Sequence, residues 1–313
     1  MIFRRGRDQE FVGVTPGQVP VDGTGSTRPV RGGREWKGEV AVQFHPPKDV
    51  SPALAGTVLD GQVNPADLGA MMIDLSLRGW FRIGKQGDDW ELQLLRPIVA
   101  SELTPAEVLL LQGLFLGQAE YVLLSQIKKQ LAGPLRQCRD QLYQDVVAHG
   151  WYQRHPDPGR LATWWFGRSP RTAAGTAVRI QTLGFRKYLA TAEADQIRFE
   201  EAADQFSRYL PYAMIFGLAE RWAGVIGEVV RRAQFTDAAA VAAEFASDPM
   251  AWYLLDGMLD LAELGVASLD LADLVGEAGG LFDSLDGLGG LAEAFDGLSD
   301  FFGDFDLFDL FDF

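Results

Sequence analysis

The stretch from Asn64 to Leu94 constrains the fold of this chain more than any other. Asn64 offers a side-chain acceptor at a helix start, and Pro65 sits at the first helical position, where its missing N–H costs nothing. Leu68, Met71, Met72, Leu75 and Leu77 follow at mostly helical spacing, and Gly79 ends the run. Trp80 to Ile83 and Trp90 to Leu94 then flank Gly84 to Asp89, which reads as a β-hairpin with a loop longer than the minimum. A helix followed at once by a two-stranded wing is the pattern of a winged helix.

The next block repeats the theme. Thr104 caps a helix that has Pro105 at its first position and runs to about Leu116, and a longer helix follows from about Ser125 to His149. Gly150-Trp151-Tyr152-Gln153-Arg154 echoes the exit Gly79-Trp80-Phe81-Arg82, although wing strands are not evident in this second unit. The apolar run Val108 to Leu124, broken by Gln112, Gln118 and Glu120, reads as a buried core helix. No uncharged apolar run approaches the roughly 20 residues that cross a bilayer, so no spanning segment is expected here. Arg4, Arg5 and Arg7 lead into polar sequence, which is no secretory signal.

Ahead of these units, residues 6–38 are rich in Gly, Pro, Thr and Arg without periodicity and read as an extended linker, with a short strand expected over Glu39 to Phe44. Behind them, residues 155–171 hold several prolines and glycines and read as a connector. Leu189, Ala192, Gln196, Phe199, Ala203, Phe206 and Leu210 form a heptad-like seam. Pro211 is expected to end that helix and start another, striped by Ile215, Leu218, Trp222, Val225 and Val229, giving an antiparallel hairpin. A chain of 313 residues is expected to hold two or three cores.

Charge divides the chain sharply. The formal net charge is -15, and residues 251–313 carry 15 acidic side chains and no Lys or Arg, so the body balances on paper. The tail keeps an apolar stripe, but Gly287, Gly289, Gly290, Gly297 and Gly303 each cost a helix about 1 kcal/mol, and disorder or marginal helicity is expected.

Three groups of residues stand together: Pro46 to Gly56 with Asp67 to Ile83, Gly184 to Leu189 with Ala192 to Asp195, and Leu210-Pro211-Tyr212-Ala213. In this order they resemble the domain-of-unknown-function 2207 family, YciQ-like predicted bacterial membrane proteins. The resemblance spans roughly residues 1–232. It implies an extracytoplasmic β-domain, membrane spans and cytoplasmic segments like these, with Phe3 to Asp8 similar to the cytoplasmic flank of a span. The chain departs from the family in lacking that β-domain, in lacking apolar spans near 155–171, and in its acidic, aromatic tail. The family carries no established activity.

Few residues suggest chemistry. Cys138 is the single cysteine, and His45, His149 and His155 lie far apart, so no disulfide, metal or cofactor is expected. Gly23 to Arg28 has the glycines of a phosphate loop without its lysine or helix. The acid pairs Asp88/Asp89, Glu193/Asp195 and Glu200/Glu201 read as solvated charge, and Cys138 as a half-buried helix residue. Lys128, Lys129, Arg136 and Arg139, interleaved with glutamines, form a candidate interaction face. Nucleic acid is disfavoured as its partner, because Asp67 and Asp74 oppose phosphate on the first unit and the acidic tail competes for the basic face. Phe305, Phe308, Phe311 and Phe313 are candidate tail anchors for a basic groove, that same face included.

These readings combine into an α+β chain, predominantly α: a juxtamembrane-like linker (1–38), winged-helix-like units (39–100 and 101–154), a connector (155–171), a helical hairpin (172–235) and an acidic amphipathic tail (236–313). Its expected role is non-enzymatic interaction with a protein partner or with itself, in the cytoplasm at the inner face of the bacterial membrane. Membrane association enters through the resemblance alone.

Overall fold

Proline at the first turn starts each of the first three helices, because a helix leaves its leading N–H groups unbonded and proline has none to waste. The computed structural model describes residues 6–21, 23–86, 89–116, 119–157, 169–193, 196–197, 199–219, 221–222 and 225. Helix α1 (Pro52–Asp60) is capped by Ser51 and α2 (Pro65–Leu77) by Asn64, whose N–H donates to Asp67 at 2.7 Å. Helix α3 (Pro105–Leu114) has a reciprocal capping box, Thr104 N–H to Glu107 at 2.7 Å and Glu107 N–H to Thr104 at 3.3 Å.

Gly79, at φ 74°, turns the chain out of α2 while Trp80 N–H closes on Leu75 O. Strand β3 (Phe81–Gln86) then pairs antiparallel with β4 (Asp89–Leu94) as the sequence leads one to expect, but the ladder runs further, to Gln86 opposite Asp89. The expected six-residue loop thus shrinks to residues 87–88, which lie outside the described residues.

The apolar run from Val108 is not one helix. Helix α3 stops at Leu114, Leu116 takes φ 48°, and β5 (Tyr121–Leu123) joins β4 to complete the sheet order β3-β4-β5. Val122 is buried beside Leu92 while Tyr121 is half exposed, an alternation that a strand can satisfy. Helix α4 (Leu124–Ala148) follows directly. It accommodates Pro134, against which α3 lies so closely that a Cβ on Gly113 would come within 2.3 Å of the ring.

The N-terminal stretch departs from the linker reading. Strands β1 (Gln9–Phe11) and β2 (Thr27–Pro29) form a small antiparallel sheet, and Asp8, Glu10 and Val30 are buried. Composition reads as linker because the groups that bury these residues lie far along the chain. Residues 39–44 form no strand; they run as a strap over helix α5 (Ala173–Thr191), with Gln43 N–H on Gly184 O. Gly184 is needed there, since a Cβ would meet Ala41 O at 2.4 Å.

The heptad-like seam is also divided. Ala192 leaves helix geometry at ψ 141°, and α6 (Phe199–Ile215) begins after a connection, so Leu189 and Leu210 belong to different helices. Pro211 lies inside α6 instead of ending it; Tyr209, Leu210, Tyr212 and Ala213 around it are all buried, and that packing outweighs the lost hydrogen bond. The helix stops at Gly217 (φ 64°), where Leu218 N–H returns to Ala213 O. Helix α6 packs chiefly on α2, and α5 on α1, more than on each other, so the expected hairpin is replaced by two helices docked on the preceding body. Among the described residues one continuous apolar cluster runs from Val50 to Trp222. The architecture is mixed α/β, with two small antiparallel sheets.

Candidate functional site: a buried arginine cluster

A buried polar cluster among the described residues centres on Arg171, at 1% exposure. Its position is set by the isolated bridge between Tyr152 and Arg171 and by Thr172, which caps α5 through a hydrogen bond from Gly175 N–H. The guanidinium donates to Asp8 Oδ2 at 2.8 Å, Glu35 Oε1 at 3.2 Å, Val58 O at 2.7 Å and Leu59 O at 2.6 Å. Its backbone N–H reaches Asp8 Oδ1 at 2.8 Å, so one carboxylate binds both ends of the residue. Arg179, two turns along α5, donates to Leu59 O at 3.0 Å and Glu35 Oε2 at 3.3 Å. Burial opposes the charge on Arg171, but Tyr152, Asp8 and Glu35 outweigh it and raise the pKa. On Arg179 burial and the neighbouring Arg171 prevail and lower it.

This geometry fastens chain to chain. Arg171 closes the carbonyl end of α1 and draws in Asp8 and Glu35 from the N-terminal stretch. Buried charges of this kind are tolerated only when paired and hydrogen-bonded. Beside them opens a cleft of about 330 Å³ lined by Gly6, Asp8, Arg34, Glu35, Lys37, Ser169, Pro170 and Arg171.

A second convergence lies on α5 and α6. Phe185 meets Tyr209 edge-on at 4.9 Å and Tyr212 at 5.6 Å between centroids, and Tyr188 packs at 6.2 Å from Trp222. Tyr209 OH donates to Phe44 O at 3.2 Å and lies 2.7 Å from His45 Nδ1, while Tyr212 OH donates to Val50 O at 2.6 Å. Burial raises the Tyr212 pKa. These tyrosines therefore clamp the segment that precedes α1.

Residues 158–225 match the model for the C-terminal domain of DUF2207, described as a predicted membrane protein. The chain carries a DUF2207 C-terminal domain over these residues. No curated protein and no solved structure matches the chain. The DUF2207 match takes in Arg171, Arg179 and the aromatic cluster, together with the resembling motifs at 184–189 and 210–213; the resembling run at 46–83 lies outside it. Within the described residues, no helix of this DUF2207 chain is long and apolar enough to cross a membrane.

The residues singled out from sequence fare differently. Lys128, Lys129, Arg136 and Arg139 all fall in α4, within about 100° of arc by helical register. Arg136 is exposed, and Arg139 is half-buried at 3.3 Å from Asp140. Asp67 is buried, not a surface acid: a Cβ on Gly56 would come within 1.8 Å of its Oδ1, and burial raises its pKa well above the usual carboxylate range. Arg78 is bound by Asp74 at 2.9 Å and by Glu107, joining α2 to α3. Cys138 is fully buried rather than half-buried, with its pKa pushed up to about 12 by burial, first of all, and then by Asp145 and Glu107; it is no thiolate nucleophile at neutral pH. No cluster of metal-ligating side chains occurs among the described residues. Phe305, Phe308, Phe311 and Phe313 lie outside the described residues. Sequence reading missed Arg171, Asp8 and Glu35; the one local signal was a charged residue directly after Pro170.

Proposed function

We propose that this DUF2207 chain is a non-enzymatic protein–protein interaction and scaffolding module at the cytoplasmic face of a bacterial membrane. Two winged-helix-like units serve as its presenting framework: α2 followed by the β3-β4 hairpin, and α3-β5-α4, whose strand completes the sheet of the first. The observation that carries the reading is the engagement of Arg171. Its guanidinium is held by two carboxylates and two carbonyls, an arrangement that joins segments and leaves little capacity for a substrate. Half-exposed Tyr121, Leu95 and Leu116 supply apolar contact surface around the sheet. The test is affinity capture from a detergent-extracted membrane fraction of the native host. A defined partner should be captured saturably, be displaced by untagged chain, and bind more weakly to Tyr121→Asp. Failure to capture any saturable partner overturns the reading.

A nucleic-acid-binding role is the second reading, favoured by Gln126, Gln130, Arg136 and Gln137, all exposed on α4. The acidic tail opposes it. Anisotropy with labelled duplexes at physiological salt should give no sequence-dependent nanomolar binding; finding it would promote this reading over the first.

A further inference from the structure

The balanced charge of the body in sequence conceals a local separation. Between residues 6 and 37 the described acids are Asp8, Glu10 and Glu35, and each is committed internally: Asp8 to Arg171 at 2.8 Å, Glu10 to Arg28 at 2.6 Å, and Glu35 to Arg171 and Arg179 at 3.2 and 3.3 Å. Two of the three are thus neutralised by cations brought in from α5 and its entry. What remains on the outside of this stretch is Arg7, Arg31, Arg34 and Lys37, all exposed, with no carboxylate partner among the described residues. Arg34 and Lys37 line the cleft beside Arg171, and Arg7 adjoins Gly6, which lines it too; Asp8 N–H on Arg34 O at 2.8 Å holds these two chain segments side by side. Inside the cleft Asp8 and Glu35 are held by Arg171, and its exposed lining residues Arg34 and Lys37 are cationic.

We propose that this cationic lining is a docking site for anionic phospholipid headgroups, by which the body lies against a membrane surface. The cleft, about 330 Å³, has room for a phosphate group, and clustered cations near an anionic leaflet add their attractions. Exposed apolar side chains occur on the same N-terminal stretch, at Val12, Val19, Val21, Val42 and Phe44, and such groups favour a lipid interface over a nucleic-acid backbone. The acidic tail is repelled by the same surface, but at physiological ionic strength that repulsion fades over about 8 Å. The proposal shares with the scaffolding reading its placement at a membrane and does not need its protein partner.

The test uses the full chain in vesicle co-sedimentation. Vesicles of phosphatidylcholine with phosphatidylglycerol in equal parts should bind it, and phosphatidylcholine alone should not. Replacing Arg34 and Lys37 together by Ser should weaken binding by more than tenfold, at about fivefold per cation, while the charge-matched control Lys48→Ser with Arg136→Ser should not. All four positions are exposed, so the fold is retained. Equal binding to both vesicles, equal loss in the control pair, displacement by inorganic phosphate at matched ionic strength, or tighter binding to duplex DNA than to the anionic vesicles would each overturn the proposal. Failure of the partner capture with vesicle binding intact would sink the scaffolding reading alone.

Discussion

Replacing Arg171 by Met keeps most of the side-chain length and removes the charge. Asp8, whose side chain is 5% exposed, then loses its counter-charge and keeps only the backbone N–H of residue 171, while Val58 O retains Tyr152 OH at 3.3 Å and Leu59 O retains Arg179 at 3.0 Å. Removing one member of a buried ion pair costs about 3–5 kcal/mol, because the remaining charge stays buried without compensation. The contribution through Glu35 is smaller; its side chain is 31% exposed, and such pairs are worth about 1 kcal/mol or less. A loss of about 3–5 kcal/mol is a large part of a typical domain stability of about 5–15 kcal/mol. Arg171→Met is therefore expected to lower the urea midpoint strongly, Glu35→Gln only slightly, and Arg171→Met combined with Asp8→Asn less than Arg171→Met alone, since the stranded charge is gone. Tryptophan fluorescence follows the transition, with Trp36 close to the cluster and Trp80 and Trp222 in the core. A single Arg171→Met variant within about 1 kcal/mol of the parent, or a double variant worse than the single, would refute the reasoning.

Two further outcomes follow from buried groups. Asp67 has its pKa raised by burial, so it favours the fold in its protonated form and withdraws stability as pH rises from the unfolded value, about 3.9, through the folded one. Asp67→Asn keeps an acceptor for Asn64 N–H and should raise the melting temperature at pH 7, with the gain vanishing below pH of about 4; a gain independent of pH would contradict this. Glycine substitutions should split by site. Gly133→Ala in α4 meets nothing within 4 Å and should stabilise by about 0.5–1 kcal/mol, whereas Gly175→Ala would set a Cβ 2.0 Å from Trp151 O and should destabilise by about 1–3 kcal/mol or more, both read from urea denaturation.

Legibility in the sequence follows the range of the forces involved. Helices α2, α3 and α4 and the β3-β4 hairpin are written in neighbouring residues, in caps, prolines, apolar spacing and Gly79, and local reading finds them. Strand β5 is three residues long and owes its existence to an edge that β4 supplies, so an apolar run reads as one helix. Spacings of three and four persist from Leu189 to Leu210 across a break because both helices bury toward the same core, which periodicity alone cannot separate from a single helix. Pro211 argues locally for a stop that tertiary packing of Tyr209 and Tyr212 overrides. The arginine cluster was the least legible of all. Asp8 and Glu35 look like ordinary surface charge in a glycine-rich stretch until the distant Arg171 is placed between them.

The partner of Asp8 comes 163 residues later in the chain. During synthesis at about 5–20 residues per second, the N-terminal stretch is therefore made roughly ten to thirty seconds before the arginine that anchors it. Its small sheet has no core of its own to wait in, and its buried acids cannot be buried yet. The body from α1 to α4 can assemble in the interval, but the segment around Asp8 cannot take its place before Arg171 arrives, and anything that binds that segment on the ribosome competes directly with its closure onto α5.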